Sequence, residues 1–131
     1  MARVLVDSSV WIEFFRKNEP YHGIVSQLMD DEQIVCCGVI LAELIQGARS
    51  DKELVVLENF LHVFTFIHGT PELWAAAGKL SHKLRRKGIT VGLSDCFIAV
   101  AAASANVRVA TLDNHFDMLC KPAGIFLFPL T

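Results

Sequence analysis

With 131 residues, the chain is read as one domain spanning residues 1–131. At 53% hydrophobic and a mean hydropathy of +0.42, it can fill a core and leave apolar surface for a partner, yet it has no uncharged apolar run of about 18 residues to cross a membrane. The net charge of −2 excludes a globally basic nucleic-acid binder, so a polyanion would have to be met by a local patch.

The elements follow in chain order. "RVLVD" at 3–7 is a β-branched run ending on an acid, which predicts a buried strand. "SSVWIEFFRKN" has serines at its start and Arg16 and Lys17 at its end, the polarity of a helix. Residues 21–31 predict a second helix and "QIVCC" a second strand. "GVILAELIQGA" is helical in length and ends near Gly47. "DKELVVLENFLHVF" opens on Asp51 as a cap, has an acidic first turn, and carries apolar residues at helical spacing. "FTFIHG" is a short strand. Thr70 as cap and Pro71 at the first position begin a long amphipathic helix that reaches Lys87 and stops at Gly88. Residues 95–105 form an apolar helix capped by Ser94. "VRVATLD" is a further strand ending on an acid, "HFDMLCKP" a short helix and "GIFLF" a last strand. Strands alternating with helices predict a parallel sheet covered on both faces. In such sheets ligands bind beyond the carboxyl ends of the strands.

Asp7 interrupts the N-terminal apolar run, and no basic region or small-residue cleavage site accompanies it. A signal peptide is therefore not expected, and a cytoplasmic protein is. Cys36, Cys37, Cys96 and Cys120 form no Cys-x-x-Cys. Buried, reduced thiols are expected rather than a zinc cluster or a disulfide framework.

Four acids stand apart from the rest. Asp7 closes the first strand, where it serves either as a helix cap or, if Ser8 or Ser9 caps, as a free carboxylate. Glu43 is surrounded by Val39, Ile40, Leu41, Ala42, Leu44 and Ile45. A helix apolar on nearly every side is expected to be buried, and an ionised Glu there needs a partner. Asp95 follows Ser94, a placement that helix-dipole compensation alone explains. Asp113 closes "VRVATLD" as Asp7 closes "RVLVD", which puts two carboxylates on one edge of the sheet. Convergence of all four would create strong repulsion, relieved by protonation or by cations. Oxygen ligands suit Mg²⁺ or Mn²⁺, and such ions support phosphoryl transfer.

Lys79, Lys83, Arg85, Arg86 and Lys87 make up five of the twelve basic residues, and no acid lies between Glu72 and Asp95. This strip is either a solvated helix face or a polyanion contact.

"VLVDSSVWIEFF", "LAELIQGAR", "LSDCFIAVAAA" and "VATLDNHFDML" together resemble the PIN-domain proteins, and especially the VapC ribonuclease toxins of bacterial toxin–antitoxin pairs. The likeness covers essentially the whole chain, with the motifs in the same order. It implies an α/β fold, a PIN-like three-layer α/β/α sandwich with a small, mostly parallel sheet. It further implies an acidic quartet, Asp7, Glu43, Asp95 and Asp113, binding Mg²⁺ or Mn²⁺. Endoribonuclease activity on structured RNA such as transfer RNA, a homodimer and a VapB-type antitoxin are also implied. Ser8 and Thr111 match small hydroxyl positions that support the site in relatives, and Ser94 stands beside Asp95. Where many relatives carry a further acid, this chain has His115. Asp117, two residues on, is either an outer ligand or part of a helical turn, and the turn is the plainer reading. His115 can bind phosphate or shuttle a proton, although an ordinary structural role is expected of a lone His. Arg85, Arg86 and Lys87 precede the Asp95 loop closely enough to hold RNA phosphates.

Two other readings stay open. A phosphatase of the haloacid-dehalogenase type needs Asp-x-Asp after the first strand, and here the sequence is "DSSV". A PIN-like module that binds metal without cleaving RNA would keep the same acids.

Overall fold

The computed structural model describes residues 2–131. Its elements are β1 (Val4–Val6), α1 (Ser8–Phe15), α2 (Tyr21–Asp30), β2 (Ile34–Cys37), α3 (Gly38–Gln46), α4 (Asp51–Glu58), α5 (Phe60–Val63), β3 (Thr65–Ile67), α6 (Pro71–Arg86), α7 (Leu93–Ala105), β4 (Arg108–Ala110) and α8 (His115–Ala123). The strands form an all-parallel sheet in the order β3-β2-β1-β4, with helices on both faces. Every residue of β1 and β2 is buried, which is why both read as unbroken apolar runs rather than alternating ones.

The strand order places the site. From β1 the chain moves outward to β2 and then β3, whereas β4 returns to the other side of β1. The direction of winding therefore reverses between β1 and β4. A crevice opens beyond the carboxyl ends at such a switch point. Val6 pairs with Ala110, so the next residues, Asp7 and Thr111, leave the sheet side by side at that crevice.

The helices α6 and α7 form a hairpin, and its ends follow their local sequence. The Thr70 hydroxyl accepts from Leu73 N at 3.2 Å, and Pro71 occupies the first helical position. Gly88 leaves α6 at φ +80, which no branched residue adopts cheaply. Six residues of α7, Cys96, Phe97, Ile98, Ala99, Ala101 and Ala102, are buried. Phe97 stacks on Trp74 of α6 with ring centroids 4.1 Å apart. On the other flank Trp11 is enclosed by Phe14, Phe15, Phe60 and Phe64. Cys36, Cys37 and Cys96 are buried free thiols and Cys120 a half-buried one; burial pushes Cys36 up to about 12 and Cys37 to about 11.

Several local expectations are corrected. Residues 124–128 do not form a strand; a single parallel bridge joins Leu127 to Val109. Gly124 closes α8 in the left-handed conformation and Pro129 offers no N–H, so too few residues remain to extend the three-residue β4. Residues 51–63 are two helices that meet at Asn59, and Ser50 rather than Asp51 caps the first, accepting from Glu53 N at 3.1 Å. Ser94 is not a cap. The extended residue Gly92 holds the cap position without a side chain, and α7 starts at Leu93. No helix among the described residues is long and apolar enough to cross a membrane.

Candidate metal centre

Asp7 is the one buried charged residue among those described, 4% exposed. Its backbone holds the cap position of α1, and its carbonyl accepts from Val10 N and Trp11 N. The carboxylate makes no cap bond. Instead Oδ2 accepts from Ser9 Oγ at 2.8 Å and from Thr111 Oγ1 at 2.9 Å. Two hydroxyls thus fix the carboxylate from opposite elements, α1 and the end of β4. Ser9 Oγ in turn accepts from Leu112 N at 3.0 Å, and Thr111 Oγ1 from Asp113 N at 3.0 Å. This network aligns the β4 exit, and with it Asp113, on Asp7.

Asp113 is half-buried, and its Oδ1 accepts from His115 N at 2.9 Å, closing a turn just before α8. His115 Nδ1 lies 3.3 Å from Asp113 Oδ1 and 3.8 Å from Asp95 Oδ2. Asp95 stands in the first turn of α7, with 19% of its side chain exposed. Its pKa is pushed up to about 6, by burial first and then by Asp113 and Asp7, while His115 pulls it the other way. Glu43 is raised as well, by burial of its carboxyl group and then by Asp7 and Asp95, with Ser8 favouring the charged form. Asp95 and Glu43 are therefore both perturbed by the neighbouring acids.

Glu43 corrects the expectation of a buried helix. It lies on an exposed stripe of α3 with Gly38, Ala42 and Gln46, whereas Ile40, Leu41 and Leu44 carry the burial. Alanine tolerates a surface position, so a sequence apolar on nearly every side still has one face open here. Ser9, rather than Ser8, makes the hydrogen bond to Asp7. Ser94 makes no hydrogen bond to the acids among the described residues. Asp117 is exposed in the first turn of α8 and stands outside the group formed by Asp95, Asp113 and His115. Arg85, Arg86 and Lys87 are exposed at the end of α6 that leads into α7.

One ligand atom from each of Asp95, Asp113 and His115 lies within 4.8 Å of the others. Hard carboxylate oxygens suit Mg²⁺ and Mn²⁺, and a single imidazole is acceptable to Mn²⁺. Among the described residues no Lys or Arg pairs with Asp7, Glu43, Asp95 or Asp113. A divalent cation fits this donor set, because it would supply the positive charge that the protein withholds.

The PIN-domain family model matches residues 4–122. The chain belongs to the PIN-domain family. Among relatives of this PIN domain, Ribonuclease VapC11 of Mycobacterium tuberculosis is 30% identical over 129 residues, covering 90% of this chain and 92% of the relative. Ribonuclease VapC1 of Methanocaldococcus jannaschii is 26% identical, covering 97% of this chain and 88% of the relative. In fold, this PIN domain matches a chain of DNA-bound VapBC from Salmonella typhimurium with a TM-score of 0.79 at 23% identity, over 100% of both chains.

Proposed function

We propose that this PIN domain is a divalent-metal-dependent endoribonuclease of the VapC type, acting on structured RNA such as transfer RNA and restrained by a VapB-type antitoxin. The observation that carries the reading is the buried Asp7. A buried carboxylate fixed by two hydroxyls at the switch point of a parallel sheet, near enough to raise the pKa of Asp95, neither caps α1 nor pairs with a cation of the protein. The relatives, both named ribonucleases, support the same reading.

Asp7, Asp95 and Asp113, with His115 beside them, would hold Mg²⁺ or Mn²⁺. The chemistry a divalent cation supplies is Lewis-acid activation of water and neutralisation of charge at a phosphodiester. Ser9 and Thr111 orient the Asp7 carboxylate. Glu43, on the rim of the same acidic group, would complete the quartet that holds the cation. At the position where a dehalogenase-type phosphatase needs its second Asp, Ser9 is occupied in holding Asp7.

An apolar cleft of about 270 Å³ opens beside Glu43, lined by Ile12, Phe15, Leu44 and Leu57 with Arg16 and Arg49 also present. This suits an antitoxin segment whose basic side chain reaches the acids. Val55, Val56, Leu61 and Val63 are exposed on α4 and α5 and supply apolar area for a homodimer.

The test is cleavage of a labelled tRNA with Mg²⁺ or Mn²⁺, with EDTA, and with Asp7→Asn. Cleavage in metal alone, lost in EDTA and in the variant, is expected. Full cleavage by Asp7→Asn, or hydrolysis of a phosphomonoester in place of RNA, would overturn the reading.

A further inference from the structure

The basic strip on α6 does not stand alone. Lys83 and Leu84 of α6, and Lys87 at its C-terminal cap, meet Lys121 and Pro122 of α8 around a cleft of about 380 Å³. Lys83 and Lys87 are one helical turn apart and share a face, with buried Leu84 as the floor between them. Lys121 comes from a separate element, so three lysines line one cleft from both sides. None of the three has a carboxylate within 4.0 Å among the described residues. Asp117, a turn before Lys121 on α8, does not pair with it either.

Helix dipoles explain part of this, since the last turns of α6 and α8 both favour cations. They do not explain why the two ends discharge into one cleft, where like charges repel. In a chain of net charge −2, three unpaired lysines facing one space call for an external anion. The lining also selects its class. The charged side chains lining this cleft are lysines alone, whereas the cleft beside Glu43 mixes Arg16 and Arg49 with Glu43 and Glu53. Lysines act as point-charge binders of phosphate.

The location completes the argument. The helix α8 begins at His115, and Lys121 lies six residues on, roughly 9 Å along the axis. Gly88 and residues 89–92 join α6 to the turn that bears Asp95. We propose that Lys83, Lys87 and Lys121 form a phosphate anchor that grips the RNA backbone outside the acidic centre and sets which stretch of the strand reaches it. This rests on the ribonuclease reading for its ligand, but its evidence is separate.

The test is salt-dependent binding of a fluorescein-labelled RNA stem–loop, in EDTA so that no strand is cut. Each phosphate contact contributes about 0.7–0.9 to the slope of log affinity against log salt. The triple variant Lys83→Ala, Lys87→Ala, Lys121→Ala is expected to lower the slope by about 2, and affinity near 0.1 M salt on the order of 10²-fold. Lys121→Ala alone should remove about one contact, and three Lys→Arg changes should keep the slope. A charge-matched control, Arg3→Ala, Lys52→Ala, Arg108→Ala, should leave it unchanged. An unaltered slope in the lysine variant, or an equal fall in the control, would overturn the anchor even if wild-type protein cuts RNA. RNA binding with the expected slopes but no cutting in Mg²⁺ or Mn²⁺ would sink the nuclease reading and leave the anchor standing.

Discussion

Asp7 could have been an ordinary N-cap, since its backbone occupies that position at α1. Its side chain instead accepts from Ser9 and Thr111, so the first-turn amides of α1 go without a side-chain partner. Helix stability is given up for a fixed carboxylate, which is the mark of a functional position. Thr111 is the joint of the network, donating to Asp7 and accepting from Asp113 N. Thr111→Val keeps the shape and removes both bonds. It is expected to weaken Mn²⁺ binding about 10–100-fold, the range seen for lost outer partners of metal ligands. Isothermal titration reads that loss, and circular dichroism should show an intact fold. An unchanged affinity would mean that Thr111 serves only the chain path. At this scale the sequence exposed the acids more readily than their supports. Two strands ending on Asp point to Asp7 and Asp113, but which of two adjacent serines reaches Asp7 depends on a rotation of about 100° between neighbours on a helix. As a lone His, His115 carries the expectation of an ordinary structural role. Its partners are Asp95 and Asp113, brought to it by α7 and the β4 exit, and no local spacing signals that.

The element that holds the centre rigid is α7. Six of its thirteen residues are buried, so its first turn, and Asp95 with it, is anchored from behind. Phe97 carries the largest share of that packing, 1% exposed and stacked on Trp74. Phe97→Ala is expected to cost about 3–5 kcal/mol, from lost transfer energy and the cavity left behind. Urea denaturation gives the figure directly, and a loss below about 1 kcal/mol would show that the hairpin collapses onto the gap. Helices and strands were legible where apolar pattern and turn chemistry agreed, as at Thr70, Pro71 and Gly88. The pattern misled where composition was uniform. The apolar α3 concealed an exposed stripe, and residues 124–128 had strand composition but only Val109 to pair with. Burial on a short helix is decided by the cleft beside it, which lies far away in sequence.

For the whole molecule, the acidic centre sets how stability responds to pH. Asp95 has a folded-state pKa of about 6 against an ordinary value of 3.8, raised first by burial and then by Asp113 and Asp7. Between those two values the folded chain binds more protons than the unfolded one, so stability falls as pH rises. Below pH 4 the group is protonated in both states and costs nothing; above 6 its full cost is felt. Glu43 is raised for similar reasons and acts in the same direction. The metal-free protein is therefore expected to melt several degrees higher at pH 5 than at pH 7.5, and Mn²⁺ should stabilise it far more at pH 7.5, where the ligands are ionised. Asp95→Asn removes the charge without changing the shape. It should raise the melting temperature of the metal-free protein at pH 7.5 by a few degrees, flatten the pH dependence and abolish the gain from Mn²⁺. Thermal melts at the two pH values, with EDTA and with Mn²⁺, separate these effects. A variant less stable than wild type in EDTA at pH 7.5 would mean that the Asp95 carboxylate is compensated within the protein, and that the centre has no need of a cation.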